Sequence, residues 1–416
     1  MSSEIRGVSR RSALAIAAAA GAASLAGAAN LQPEARPSNP ENPAPPSSPR
    51  PGPNPQNGRP VSDTAAAQGG QPVVPGPPAP KVRFALVGLG KLMAEEIFPA
   101  LRQSHHCEVT ALITGNADKG RAFASQLGIP ESRVMGYDAI PRLAGDNGID
   151  AVYIATPNAL HARDAVAALR AGKHVLCEKP MVTNVADGEA MIKAAQESGK
   201  KLMTAYRVHH EPINRQIKAW IKERKYGRPH FVVFDTVQDV GKPGQYRLQR
   251  QLAGGGSLYD IGIYALNTTC WLLDEQPIEV SAMRWDDPED SRFDEVEGNI
   301  AFQLRFPSGC VANCTSSYGT VRVNRYRVIC DRGWLGMEPA TVYRGLKGMH
   351  GTDDEVIEMH KPDTVNQFAA EFDHFAQAVR DGTEVDASGE EGLRDVKLME
   401  AIYEAARTGQ RVKISG

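Results

Sequence analysis

Beyond an alanine-rich start that is too short and too weakly apolar to span a bilayer, the chain of 416 residues has no run approaching 18 apolar residues. It also lacks an excess of one charge, since 47 Lys and Arg against 49 Asp and Glu leave a formal net charge of -2. That balance offers no basic field to draw nucleic acid or an anionic membrane, so the expected partners are small molecules or further copies of the chain. Cysteine is scarce. The six (Cys107, Cys177, Cys270, Cys310, Cys314 and Cys330) include no C-x-x-C pair and no histidine at zinc-like spacing, so neither a disulfide framework nor a metal centre is expected. Most lie in apolar runs, where a thiol behaves as a small buried hydrophobe, and Cys310 and Cys314 are the one close pair, placed by even spacing on one strand face. A hydrophobic fraction of 42% with 23% charged residues is ordinary for a packed protein, and the length allows two domains with an appendage.

Residues 1–28 read as an address. Ser9-Arg10-Arg11 supplies paired arginines, Ala13 to Ala20 a weakly apolar run, and Ala26-Gly27-Ala28 a small-residue cleavage site. The pattern resembles a twin-arginine export signal, which implies a periplasmic protein that is folded before export. Cleavage would remove Glu4, Arg6, Arg10 and Arg11, a net +2, leaving -2 minus 2, or -4. Residues 29–80 hold sixteen of the 29 prolines and cannot bury enough apolar surface to offset their ordering entropy, so an extended or disordered arm is expected. It reads either as a spacer or as an arm that wraps a neighbouring subunit or covers a ligand.

From Lys81 the pattern becomes regular. A strand from Val82 to Val87 runs into Gly88-Leu89-Gly90-Lys91-Leu92-Met93 and a helix to about Gln103, the strand-glycine-helix order that brings backbone and a helix N-terminus to a pyrophosphate. Met93 replaces the third glycine, which is expected to cost close helix-strand packing. The second strand, Val109 to Thr114, ends about 26 residues after Gly88 without the carboxylate that would hold a ribose 2'-hydroxyl; Thr114, Gly115, Asn116, Lys119 and Arg121 follow instead. Small donors and two cations suit a 2'-phosphate, so NADP is expected over NAD. Asp150 to Ala155, the turn Thr156-Pro157-Asn158, a helix carrying His161, the strand in His174 to Pro180 (HVLCEKP), a helix from about Thr183 to Gly199 and the strand Lys201 to Ala205 complete a doubly wound parallel sheet over residues 81–205. Crevice residues come from the strand ends: Thr156, Pro157, Asn158, His161, Glu178 and Lys179.

Residues 206–416 change character. A helix from Pro212 to Arg224 precedes strand-type runs at His230 to Val237, Ile278 to Trp285, Val296 to Phe306, Cys310 to Tyr318 and Tyr326 to Cys330, which predict an α/β domain with a large open, mostly antiparallel sheet. Gly254-Gly255-Gly256-Ser257 precedes a helix with Asp260 and Tyr264 four apart on one face; the glycines are expected to let backbone approach a ligand and Ser257 to cap.

The ordered set GLGK, TGNADK, AVYIATPNALH, AGKHVLCEKP and AGGGSLYDIGIYALN resembles the glucose-fructose oxidoreductase branch of the Gfo/Idh/MocA sugar dehydrogenase family, from Lys81 to Gly409. The resemblance implies that Lys179 is catalytic and that Asp260 and Tyr264 act with it. It adds Arg207, Tyr137 and Tyr343 to the cofactor side and Tyr206, His209 and Arg247 to the sugar side, with Tyr246 a lesser candidate. It also implies a homodimer or homotetramer formed on the open sheet. The chemistry expected is oxidation of an aldose at C1 to a lactone with tightly held NADP that a second sugar, reduced to a polyol, re-oxidises; the alternative is a conventional NADP-dependent sugar or cyclitol dehydrogenase. Tyr264 is the expected base, helped towards phenolate by the Lys179 ammonium, with Asp260 orienting the substrate or Lys179.

Overall fold

The computed structural model describes residues 80–242, 244–360 and 365–414. The residues read as an export signal and, up to residue 79, those expected to form a proline-rich arm lie outside the described residues.

The first sheet has six parallel strands: β1 (Val82–Val87), β2 (Cys107–Ile113), β3 (Val134–Met135), β4 (Ala151–Ile154), β5 (His174–Glu178) and β6 (Leu202–Ala205). Their order is β3-β2-β1-β4-β5-β6. Strands β4 and β6 are buried at every residue and β5 at all but His174, as expected of strands covered on both faces. Because the chain leaves β1 for β2 on one side and returns to β4 on the other, a crevice opens at their carboxyl ends. Local signals agree with this path. The helix Val185–Ser198 starts where the Asn184 side chain accepts the Asp187 N–H at 2.9 Å, and stops at Gly199, which is left-handed (φ 62°).

The second sheet contains β7 (Pro229–Asp239), β8 (Glu279–Arg284), β9 (Asn299–Arg305), β10 (Val311–Ser317), β11 (Gly319–Cys330), β12 (Gly333–Met337), β13 (Gly348–Gly351), β14 (Val356–Met359) and β15 (Val412–Lys413). Their order is β14-β13-β12-β11-β7-β10-β9-β8-β15, antiparallel except where β7 pairs with β10. One face packs under the helices Ile263–Leu273 and Gly389–Thr408. Along β9 the buried Ile300, Phe302 and Leu304 alternate with the exposed Ala301, Gln303 and Arg305, the pattern of a sheet covered on one side. On its open face Phe231 lies across from Ile329, and Met283 on β8 and Trp285 just after it are also exposed.

A single apolar core joins the two sheets. The late helix Gln367–Asp381 turns back onto the first sheet, where Phe372 meets Phe84 edge-on (5.2 Å between ring centres) and Tyr153 at 4.9 Å. All six cysteines are free, five buried and Cys330 partly so.

At the crevice-distant end of the first sheet, Asp150 accepts from the Arg83 backbone N–H (2.9 Å), Nε (2.8 Å) and Nη2 (2.6 Å). Burial raises the Asp150 carboxyl, but the Arg83 bonds outweigh it and its pKa is lowered. The stabilisation is therefore complete above the ordinary carboxylate range, near ~3.9, and is lost as pH falls through the depressed folded value. Asp150→Asn should cost about 1 kcal/mol at neutral pH, solvent screening included, and the wild type should lose this advantage in acid; denaturant unfolding at several pH values measures both.

Candidate active site

The crevice is a cleft of about 740 Å³ that narrows into a second chamber of about 360 Å³. At the base of the larger one, Gly88 adopts φ +87° and a Cβ there would lie 2.7 Å from the Ala155 carbonyl oxygen, so only glycine fits. A Cβ on Gly90 would meet nothing within 4 Å, so that residue fronts open space. Leu89, Lys91 and Leu92 complete this wall. Met93 is fully buried, and the helix makes a π-helical turn over Met93–Ile97. The expected packing cost at the third-glycine position is thus met by a wider turn with a methionine in the core.

Thr114, Gly115, Asn116 and Lys119 line the cleft after β2, with Tyr137 against Gly115, where a Cβ would lie 3.2 Å from the ring. Asn116 caps the helix Ala117–Leu127 by accepting the Lys119 N–H at 2.9 Å. Arg121 does not reach the cleft; it pairs with Asp118 on the exposed side of that helix. The expected second cation for a 2'-phosphate is therefore turned aside by a neighbouring carboxylate.

Thr156, Pro157, Asn158 and His161 follow β4 into the cleft. Asn158 donates to the Ala253 carbonyl at 2.9 Å, tying this wall to the glycine run of the second half. Both ring nitrogens of buried His161 face carbonyl oxygens, Thr156 at 2.9 Å and Pro180 at 3.0 Å, so the imidazole braces the β4 and β5 ends. The Lys179–Pro180 bond is cis.

Lys179, Arg207, Arg247, Asp260, Tyr264 and Tyr343 line both chambers and form the seam between them. Lys179 Nζ donates to the Asp260 carbonyl at 2.6 Å and to its Oδ1 at 3.3 Å, and sits 4.6 Å from the centre of the Tyr264 ring. Burial pushes the amine down, but Tyr264, Asp260 and Glu178 outweigh it and hold Lys179 as an ammonium with a raised pKa. Asp260 Oδ2 accepts from Arg247 Nε at 3.0 Å and from the Tyr318 hydroxyl at 2.8 Å. Burial would raise the Asp260 carboxyl; Arg247 and Lys179 pull it well below the usual carboxylate range instead. An anion so held is an anchor and not a proton donor. Arg207 is locked from behind, donating to Gln367 Oε1 (2.6 Å) and the Thr341 carbonyl (2.5 Å), and its guanidinium lies 4.9 Å from the Tyr264 ring and 4.7 Å from the Tyr343 ring. Burial pushes the Tyr343 phenol up to about 12.

Three expectations are corrected here. Tyr206 and His209, assigned to the sugar, lie in the core outside both chambers. The Tyr206 hydroxyl donates to Asp395 at 2.7 Å, and the His209 ring, stacked on Trp271 at 4.5 Å, pairs with Asn267 at 2.8 Å. Burial lowers His209 to about 3, so it is a neutral packing residue. The glycine run approaches protein and not a ligand: a Cβ on Gly256 would lie 1.9 Å from the Glu297 carbonyl oxygen. Ser257 makes no cap; the Glu297 carboxylate does so, accepting the N–H groups of Gly256 (2.9 Å) and Leu258 (2.8 Å). Adjacent His210 joins His374 and Asp386 in a metal-like cluster, but Arg215 donates to Asp386 at 2.7 Å and approaches His210 to 3.2 Å, placing a guanidinium where a cation would bind.

Close backbone at Gly88, open space at Gly90, no carboxylate at the β2 end and Lys119 nearby fit a phosphorylated dinucleotide. Residues 82–206 match the family model described as oxidoreductase family, NAD-binding Rossmann fold, and residues 218–414 match its C-terminal alpha/beta domain. The chain belongs to the Gfo/Idh/MocA oxidoreductase family. Among its relatives in that family, the D-xylose 1-dehydrogenase [NADP(+)] of Haloarcula marismortui is 34% identical over 80% of this chain and 93% of the relative. The 1,5-anhydro-D-fructose reductase of Ensifer adhaerens is 29% identical over 80% and 98%. A solved aldose-aldose oxidoreductase from Caulobacter crescentus, complexed with glycerol, is 41% identical with a TM-score of 0.78, covering 80% of this chain and all of that one. A 3-ketoreductase of Actinomadura kijaniata in complex with TDP-benzene and NADP is 27% identical with a TM-score of 0.69, over 78% and 98%.

As a Gfo/Idh/MocA oxidoreductase the chain carries site residues that sequence reading passed over. Tyr318 ends a strand and shows no local pattern until Asp260 folds against it. Arg322, Asn324 and Thr341 reach the smaller chamber from β11 and the loop after β12. The glycine contact gives a test: Gly256→Ala should destabilise the protein by about 3 kcal/mol, read as a fall in the denaturation midpoint.

Proposed function

We propose that the enzyme oxidises an aldose at C1 to a lactone and passes the hydride to a second sugar, forming a polyol, without releasing its nucleotide between the two halves. It is an NADP-dependent oxidoreductase acting on CH–OH groups of sugars. The observation that carries the reading is the seam, where Lys179, Asp260 and Tyr264 border a dinucleotide-sized cleft and a sugar-sized chamber at once. The xylose dehydrogenase and aldose-aldose oxidoreductase relatives support it.

Bound NADP supplies the hydride acceptor. Gly88, Gly90 and the following helix N-terminus would hold the pyrophosphate, Lys119 would meet the 2'-phosphate, and Lys179, clamped by Asp260, would orient the C1 hydroxyl. Tyr264 moves the hydroxyl proton, its ring flanked by the Lys179 and Arg207 cations. An exported enzyme meets no nucleotide pool, which favours a carried cofactor over a conventional dehydrogenase. Protein purified without added nucleotide should contain NADP(H) and turn mixed glucose and fructose into lactone and polyol, identified by mass spectrometry. Lys179→Ala should keep the nucleotide and lose turnover by roughly a hundredfold or more. An empty preparation active only with added NADP would leave the conventional dehydrogenase.

Self-association is part of the same reading. The open face of the second sheet presents Phe231 beside Ile329, and the dimer forms on this face. Phe231→Glu should shift the sedimentation coefficient towards the monomer at equal concentration.

A further inference from the structure

Beneath the seam lies a group that the hydride chemistry leaves unused. Glu371, on the helix Gln367–Asp381, is fully buried, and neither carboxyl oxygen has a hydrogen-bond partner. A carboxylate in that position would be desolvated with nothing to compensate it. Its charged neighbours are Glu178 at the end of β5 and Arg207 after β6. Glu178 in turn accepts the Tyr153 hydroxyl at 2.5 Å, lies next to Lys179 and lines the larger cleft, with Arg207 also acting on it. Phe372, next to Glu371 in the helix, packs on Phe84 and on the ring of Tyr153, whose hydroxyl reaches Glu178.

Two buried carboxyls in one electrostatic field do not both ionise. Burial and the charge of Glu178 push Glu371 well above the usual carboxyl range against the pull of Arg207, and burial also raises Glu178 against Tyr153, Lys179 and Arg207. Arg207 keeps its own bonds to Gln367 and Thr341, so it does not pair off either acid. Burial and the same acids keep the Tyr153 phenol protonated. What remains variable is the number of protons on the two glutamates, and Glu178, which lines the cleft, would feel the charge of a nicotinamide bound there.

We propose that Glu178 and Glu371 are a proton store, holding one proton while the bound nicotinamide is oxidised and two while it is reduced. The inference rests on the carried-cofactor reading. In the first half-reaction the aldose loses a hydride from C1 to the nicotinamide and a proton from its C1 hydroxyl at Tyr264; the carbonyl of the lactone forms, and the proton comes to rest on the pair. In the second half-reaction the carbonyl of the other sugar takes back the hydride and the proton, so atoms and charge balance without exchange with solvent. The positive nicotinamide favours the ionised pair and its neutral reduced form favours the fully protonated pair, so the charge of the site is the same in both states.

Two measurements on the full-length protein test this. The infrared difference spectrum between NADPH-saturated and NADP-saturated wild type should show a protonated-carboxyl C=O band gained with NADPH. No such band overturns the proposal, and because both nucleotides are added, this outcome does not depend on sugar turnover. In weakly buffered solution with a pH indicator, mixing the NADP-loaded enzyme with an aldose alone should form the reduced nucleotide with little proton release before the lactone hydrolyses. Release of one proton per hydride by the wild type overturns the store. Glu178→Gln, which removes the member that takes the second proton, should lose the infrared band and release that proton; a variant that behaves as the wild type in both measurements overturns the assignment to this pair. A band without any sugar oxidation would instead overturn the proposed function and leave the pair standing.

Discussion

The Asp260 carboxylate makes one electrostatic unit of parts that come from distant stretches of chain. It receives Lys179 from the end of β5, Arg247 from the loop after β7 and Tyr318 from the end of β10, so one anion holds both sheets' contributions to the seam. Three donors around one buried carboxylate more than offset its desolvation, which is why it stays ionised where an isolated acid would be protonated. Without that anion the Lys179 ammonium would lose its ion-pair partner and keep only its hydrogen bond to the Asp260 carbonyl.

The anchor needs a rigid backing, and Glu297 provides it. Its side chain takes two backbone N–H groups at the start of the helix that bears Asp260 and Tyr264, while its backbone lies too close to Gly256 to admit a side chain. The Tyr403 hydroxyl, from the long C-terminal helix, donates to the same carboxylate at 2.8 Å. The helix that bears Asp260 and Tyr264 is thus fixed from below by a residue of the loop before β9 and by a terminal helix, and not by the ligand its glycines suggested.

What the sequence made legible follows from local physics. The apolar runs of the first sheet, the Asn184 cap and the glycine at φ +87° are decided within a few residues, so the parallel sheet and its crevice could be read directly. The seam residues Lys179, Asp260 and Tyr264 were legible as motif positions. Other features depend on partners far along the chain. Tyr206 and His209 look like ligand contacts beside Arg207 until Asp395 and Asn267 claim them from behind. Arg121 looks free until Asp118 pairs with it. The short strands β12 to β15 exist because a sheet edge is there to pair with, and their own patterns are too brief to announce them.

The helix Gln367–Asp381 completes the cover of a sheet whose strands all precede residue 206. The nucleotide-binding half therefore leaves the ribosome before the helix that covers it. Until the C-terminal helices arrive, Phe84 and Tyr153 lack the aromatic partner that buries them, and Arg207 lacks Gln367. Phe368 of the helix Gln367–Asp381 lines the cleft, so a truncation that removes it takes away part of a cofactor cleft whose lining lies mostly before residue 208.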